Sequence, residues 1–317
     1  MKTINSEFNH TQATLKSHTQ TQPYLKDCTH ASISPFLEHI PNLPLQALSS
    51  QDYLESYAVF SRATNRLSLV LAAALGYGQK FISSQTPLRI LSVGCGDGTF
   101  EQPFLEQLIL GRRHSPEAPI FFVGVNPNQT ECIAIQERFQ RSVILQQHDF
   151  AFAIESIGFE SFFTDHQFDI ILCINPLIYI KALDMALEQA YGMLRKGGQL
   201  MIANAPFSPL CQPFVDIAQQ LWGQKPRFSE DIQQAIDAML IPYQKQSLVG
   251  TLDITDCFEP QSELGIKLLD FLVHAKTEYF SGLQREKLLD FFRTHAQADN
   301  KGKMILPHPE DVFCLEK

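Results

Sequence analysis

Ile90-Leu91-Ser92-Val93-Gly94-Cys95-Gly96-Asp97-Gly98-Thr99 is an apolar strand that runs into three alternating glycines and then into a helix. Glycines at that spacing let the backbone turn tightly and approach a ligand where a Cβ would clash, with helix-terminal N–H groups facing it. The pattern suits a nucleotide-like cofactor. Dinucleotide-binding enzymes also set a glycine loop between strand and helix, but their third glycine follows the second by three residues. Here the step is two.

Outward from this turn, strand and helix signals alternate. A strand at 88–93 leads through the glycines to a helix at 101–110, a strand at 119–125 to a helix at 129–141, and third and fourth strands are read at 143–147 and 168–174. A helix at 182–194 closes at Lys196-Gly197-Gly198 and passes into a fifth strand at 199–203. Pro-bounded, Gln-rich helical segments at 206–245 interrupt the alternation and read as an inserted cap, the kind of insertion that carries specificity. A strand at 246–252, helices at 263–271 and 283–295 and a strand at 311–315 follow. The expected fold is α/β, a doubly wound, mostly parallel seven-stranded sheet with an inserted helical cap.

Ahead of that core, residues 52–75 carry apolar side chains at helical spacing, ending at Gly76-Tyr77-Gly78. Residues 1–45 are rich in Thr, Gln, His, Ser and Asn and are expected to be flexible or to drape over a domain spanning 46–317.

Composition narrows the function. Hydrophobic residues make up 44% of the 317, enough for a sizeable core. The formal charge of −9, with no basic cluster longer than Arg112-Arg113, argues against a nucleic-acid face. The apolar stretch near 69–75 is far shorter than a membrane span. Seven cysteines without a C-x-x-C pair suggest neither a disulfide framework nor a zinc site. A small-molecule partner, no nucleic acid, no membrane, no metal, a monomeric state and a cytoplasmic location are the expectations.

The glycine spacing, with the preceding Leu-Ser-Val, resembles the first motif of class I methyltransferases, which implies a Rossmann-like methyltransferase fold and S-adenosylmethionine as cofactor. By that resemblance Gly94, Cys95 and Gly96 wrap the cofactor, and Asn126-Pro127 stand where the family usually places an acid that holds both ribose hydroxyls. Asn accepts one such bond without charge, which lowers the expected affinity; a plain Asn-Pro-Asn turn is the other reading. Asp149 would accept from the adenine amino group, or cap a helix. Ile174 would cover an adenine or ribose face, or is simple core.

A narrower resemblance lies in Tyr53-Leu54-Glu55-Ser56-Tyr57 with Phe60, in 174–180 with Tyr179, and in Thr-Leu-Asp-Ile-Thr-Asp-Cys-Phe at 251–258 followed by Gly265, Leu268 and Leu269. These are similar to the histamine N-methyltransferase family across most of 52–316. The resemblance implies an acceptor pocket at Tyr57, Phe60, Arg66 and Tyr179, with Glu263, His308 and Asn175 orienting the acceptor or taking its proton. Arg66 stands where the family has a Glu for the amine. An Arg repels ammonium, so a carboxylate-bearing amine or imidazole is as good an expectation as histamine. Each residue also has a plainer reading: Tyr57 and Phe60 as core, Glu263 as a helix start, His308 as part of a surface loop. Asn175-Pro176 is also similar to the N-P-P-Y signature of methyltransferases acting on bases or glutamine, but Leu177-Ile178 supply neither the second Pro nor the aromatic. The remaining alternative is a cofactor-binding interaction module that has lost turnover.

Overall fold

The computed structural model describes residues 44–84, 86–112 and 118–317, so the expected N-terminal segment lies outside the described residues up to position 43. The strands are Leu88–Val93 (β1), Ile120–Val125 (β2), Phe150–Glu155 (β3), Phe168–Ile174 (β4), Leu194–Asn204 (β5), Tyr243–Leu248 (β6), Thr251–Asp253 (β7), Gln297–Ala298 (β8), Met304–Pro307 (β9) and Glu310–Glu316 (β10). Seven of them form one sheet in the order β3-β2-β1-β4-β5-β10-β6. β10 runs antiparallel to both of its neighbours, while the pairs from β3 across to β5 are parallel.

Neighbouring residues of β1 show why its sequence is a nearly continuous apolar run. Ile90 joins the apolar layer that holds Phe104, Phe122 and Phe139, whereas Leu91 joins the layer on the other face with Ile171, Leu187 and Ile202. A strand covered on both faces needs apolar residues at both parities. The chain steps outward from β1 to β2 and β3, then returns to the other side of β1 as β4. Loops diverge at such a reversal and leave a crevice at the strands' C-terminal ends.

The third strand is not where the sequence pattern placed it. Val143–Gln146 is a short helix capped by Ser142, whose Oγ accepts from the Leu145 amide at 3.2 Å. The strand is Phe150–Glu155, at the sheet edge, with Phe150, Phe152 and Ile154 packed on the core and Ala151, Ala153 and Glu155 exposed. The strand expected at 246–252 is likewise two strands, β6 in the large sheet and β7 in a small one of order β7-β9-β8. The break falls at Gly250, where a Cβ would stand 2.3 Å from the His308 carbonyl oxygen.

Around the small sheet, the helices Glu263–Val273 and Gly282–His295 build a third apolar cluster with Phe60, Leu252, Leu268, Phe292 and Leu306. The helix Ser50–Ala63 is started by a capping box between Ser49 and Asp52 and lies against Glu263–Val273. In the inserted stretch, Gln212–Trp222 and Ser229–Ala238 are helical.

Candidate active site

A cavity of about 570 Å³ opens at the C-terminal ends of β1, β2 and β4. The glycine turn forms its floor. Gly94, Gly96 and Gly98 all have positive φ, +64°, +52° and +79°, a region that L side chains rarely adopt. Their reasons differ. A Cβ on Gly94 would lie 2.3 Å from Pro176 Cβ, and one on Gly98 2.6 Å from Ile135, whereas one on Gly96 meets nothing within 4 Å. Gly94 and Gly98 are therefore required by protein packing, and Gly96 is the residue whose bare backbone faces open space. Arg138 clamps the turn from the next helix, donating through Nε to the Asp97 carbonyl at 2.8 Å and through Nη2 to its carboxylate at 2.9 Å.

At the end of β2, Asn126 and Pro127 border the cavity, as does Glu131 one helical turn on. Asn126 Nδ2 donates to Glu131 Oε2 at 2.7 Å, and both side chains are buried. Asn128 starts the helix Gln129–Arg141 by accepting from the amides of Thr130 and Glu131, which fixes Glu131 in its first turn. Burial pushes the Glu131 carboxyl above its usual range, against the opposing bond from Asn126.

Asp149 is not in the cavity. It is exposed ahead of β3, and its carbonyl accepts from the Ile120 amide at 2.9 Å, at the edge of the sheet opposite the glycine turn. The later position of β3 brings Gly158, Phe159 and Glu160 to the cavity instead. Ile174 lines it from β4.

The far end is aromatic. Tyr53, Tyr57, Phe60, Tyr179, Trp222 and Phe271 line it, drawn from the helix Ser50–Ala63, the loop after β4, the inserted helix Gln212–Trp222 and the helix Glu263–Val273. His274 sits among them, its ring centroid 4.5 Å from Phe214 and 5.5 Å from Trp222, and burial pushes its pKa down to about 3. His308 also lines the cavity, edge-on to Phe60 at 5.3 Å with Nδ1 2.9 Å from Thr64 Oγ1; burial holds it well below the usual imidazole range, Arg66 adding to the effect. Both rings are neutral near pH 7, and His308 is part of the cavity wall rather than of a surface loop.

Arg66 is not a free charge. Its Nη1 donates to Asn175 Oδ1 at 3.0 Å and to Glu310 Oε2 at 3.2 Å. Asn175 reaches it from a left-handed position, φ 67°, at the end of β4. Glu263 is absent from this group. It is exposed in the first turn of a helix capped by Ser262, so it serves the helix start and not the cavity. The cavity thus gathers Gly94, Cys95, Gly96, Asn126, Pro127, Ile174, Asn175, Tyr57, Phe60, Arg66, Tyr179 and His308, and leaves out Asp149 and Glu263. Glu131, Glu310, Trp222, Phe271 and His274 have no sequence motif of their own.

A strand order of this kind, with a glycine turn at the reversal, bare backbone toward open space at Gly96 and buried acceptors after β2, fits a nucleoside with an amino-acid arm. Residues 91–200 match the family described as a methyltransferase domain. That stretch is an S-adenosylmethionine-dependent methyltransferase domain, and the sheet order with its glycine turn agrees with it. Among known proteins it is similar to the histamine N-methyltransferases of Rattus norvegicus, 25% identical over 253 residues covering 74% of this chain and 82% of that one. That of Danio rerio is 25% identical over 260 residues, covering 78% and 85%. The crystal structure of the YcgJ protein from Bacillus subtilis aligns over 78% of this chain and 99% of its own, at a TM-score of 0.49 and 15% identity.

Proposed function

We propose that the chain methylates a nitrogen of a small amine or imidazole compound, bound in the aromatic end of the cavity. S-adenosylmethionine supplies a methyl group already activated on a sulfonium, so the protein's task is to align the acceptor nitrogen and exclude water. Tyr57, Phe60 and Phe271 offer ring faces and edges to a flat or cationic acceptor. The single observation that carries the reading is that Arg66, the one Lys or Arg among the described residues lining the cavity, is already neutralised by Glu310.

His308 is the proposed proton acceptor. With Nδ1 engaged by Thr64, a neutral ring has Nε2 as its other nitrogen. Asn175, held by Arg66, is proposed to orient the acceptor. The similarity to histamine N-methyltransferases supports nitrogen as the accepting atom and a compound of that size. Histamine-like compounds and carboxylate-bearing relatives are both within this reading. We further place the enzyme as a monomer in the cytoplasm; no described helix is long and apolar enough to cross a membrane.

The test is to incubate the purified chain with methyl-labelled S-adenosylmethionine and a panel of imidazoles, alkyl amines, catechols, thiols, RNA and protein. Labelled N-methyl imidazole or amine is the expected product. Label confined to oxygen, sulfur or macromolecular acceptors overturns the reading.

A further inference from the structure

Position 126, at the end of β2, holds a carboxamide, yet the cavity wall there is not without a carboxylate. Glu131 is 93% buried by its 7% exposure, lines the cavity, and has one oxygen, Oε2, bonded to Asn126 Nδ2 at 2.7 Å. No Lys, Arg or His is paired with it among the described residues. A buried carboxylate bonded on one side and lacking a cation is expensive unless further donors reach it. A pair of vicinal hydroxyls supplies two such donors.

The pair is also held rigidly. The Asn126 amide donates to the Glu155 carbonyl at 3.0 Å, its own carbonyl accepts from Cys132 Sγ at 3.2 Å, and Asn128 caps the helix that carries Glu131. Because Nδ2 of Asn126 points to Glu131, its Oδ1 is turned away from that bond and is a second acceptor beside the free Oε1.

We propose that Glu131 supplies the charged acceptor for the ribose hydroxyls of the nucleoside cofactor, and that Asn126 is a positioning residue that aims it and adds one neutral acceptor. The carboxylate stands in the first turn of the helix that follows β2, not at the strand end itself. The inference concerns cofactor binding alone and stands or falls independently of the methyl acceptor.

Calorimetry with S-adenosylhomocysteine and its 2′-deoxy analogue tests it on the full chain. In Glu131→Gln the amide nitrogen would face the hydroxyls as a donor against donors, and S-adenosylhomocysteine is expected to bind about ten- to a hundredfold more weakly. The 2′-deoxy analogue should lose much less. Asn126→Asp places two carboxylates within hydrogen-bonding distance and should also weaken binding near neutral pH. The double variant Asn126→Asp with Glu131→Gln restores one carboxylate bonded to one carboxamide and should regain most of the affinity. That recovery also separates a binding defect from a folding defect in either single variant.

Unchanged affinity in Glu131→Gln, tighter binding in Asn126→Asp alone, or an equal loss for both ligands overturns the proposal. A double variant no better than the singles overturns the positioning role of Asn126.

Discussion

Arg66 and Glu310 meet in the interior: Nη1 and Oε2 are 3.2 Å apart, with the side chains 9% and 0% exposed. Burial pushes the Glu310 carboxyl up, and Arg66 pulls it back. Removing one partner of such a pair leaves the other charged and buried. Glu310→Gln is expected to destabilise the fold by about 3–5 kcal/mol in urea denaturation. Combining it with Arg66→Met removes both charges and should recover most of that loss. A Glu310→Gln variant as stable as the parent would show that the pair does not carry its charges in the folded state.

The same pair bears on the acceptor. With Glu310 in place the aromatic end is close to neutral, and Glu310→Gln makes it cationic while leaving every cavity-lining side chain as it is. KM for a cationic amine is expected to rise, and KM for a carboxylate-bearing analogue to fall, with the change reduced at high salt. Equal shifts for both ligands would mean that the variant acts through packing and not through charge.

The fold was largely legible in the sequence because β1 and β4 are apolar at both parities and the glycine turn marks the reversal between them. The errors have local causes. Val143-Ile144-Leu145 is a short apolar run, and periodicity cannot separate a strand from a helical turn at that length; the Ser142 cap was the available signal. With a strand at 143–147 Asp149 would follow it, whereas with β3 at Phe150–Glu155 it precedes the strand, at the end of the sheet away from the cavity. Arg66 lines the cavity, but its charge cannot be judged from the sequence without Glu310, which lies 244 positions away and meets it only through the fold. Glu131 did carry a local sign, an acid in the first turn after Asn128, though nothing in the sequence says which way its carboxylate points.

The glycine turn separates packing from binding. Gly94→Ala puts a Cβ against Pro176 at a φ of +64°, so it is expected to lower the melting temperature substantially and to weaken cofactor binding with it. Gly96→Ala meets no protein atom within 4 Å, so it should cost only about 1–2 kcal/mol for its positive φ while taking up space in the cavity. Scanning calorimetry with and without S-adenosylhomocysteine compares them. The expected result is a large loss of intrinsic stability for Gly94→Ala, and for Gly96→Ala chiefly a smaller shift on adding ligand. The reverse order would mean that Gly96, not Gly94, is the packing glycine.

Ser92 is buried in β1, and its Oγ donates to Glu101 Oε1 at 2.8 Å. Burial pushes the Glu101 carboxyl up to about 8, the bonds from Ser92 and from its own backbone opposing the rise. The folded protein therefore holds this proton more tightly than the unfolded chain, whose carboxyl titrates near 4.5. The stability that comes from the protonated form is full below about pH 4.5 and is lost progressively as the pH rises through about 8. Gln at this position keeps an acceptor for Ser92 and never has to ionise. Glu101→Gln is expected to match the parent near pH 4.5 and to be more stable than it at pH 8.5, with the gap opening between those values. Melting curves of both proteins across that range provide the check; because other titrating groups are shared, they cancel in the difference. A gap that stays constant with pH would show that the buried carboxyl ionises as it does in the unfolded chain.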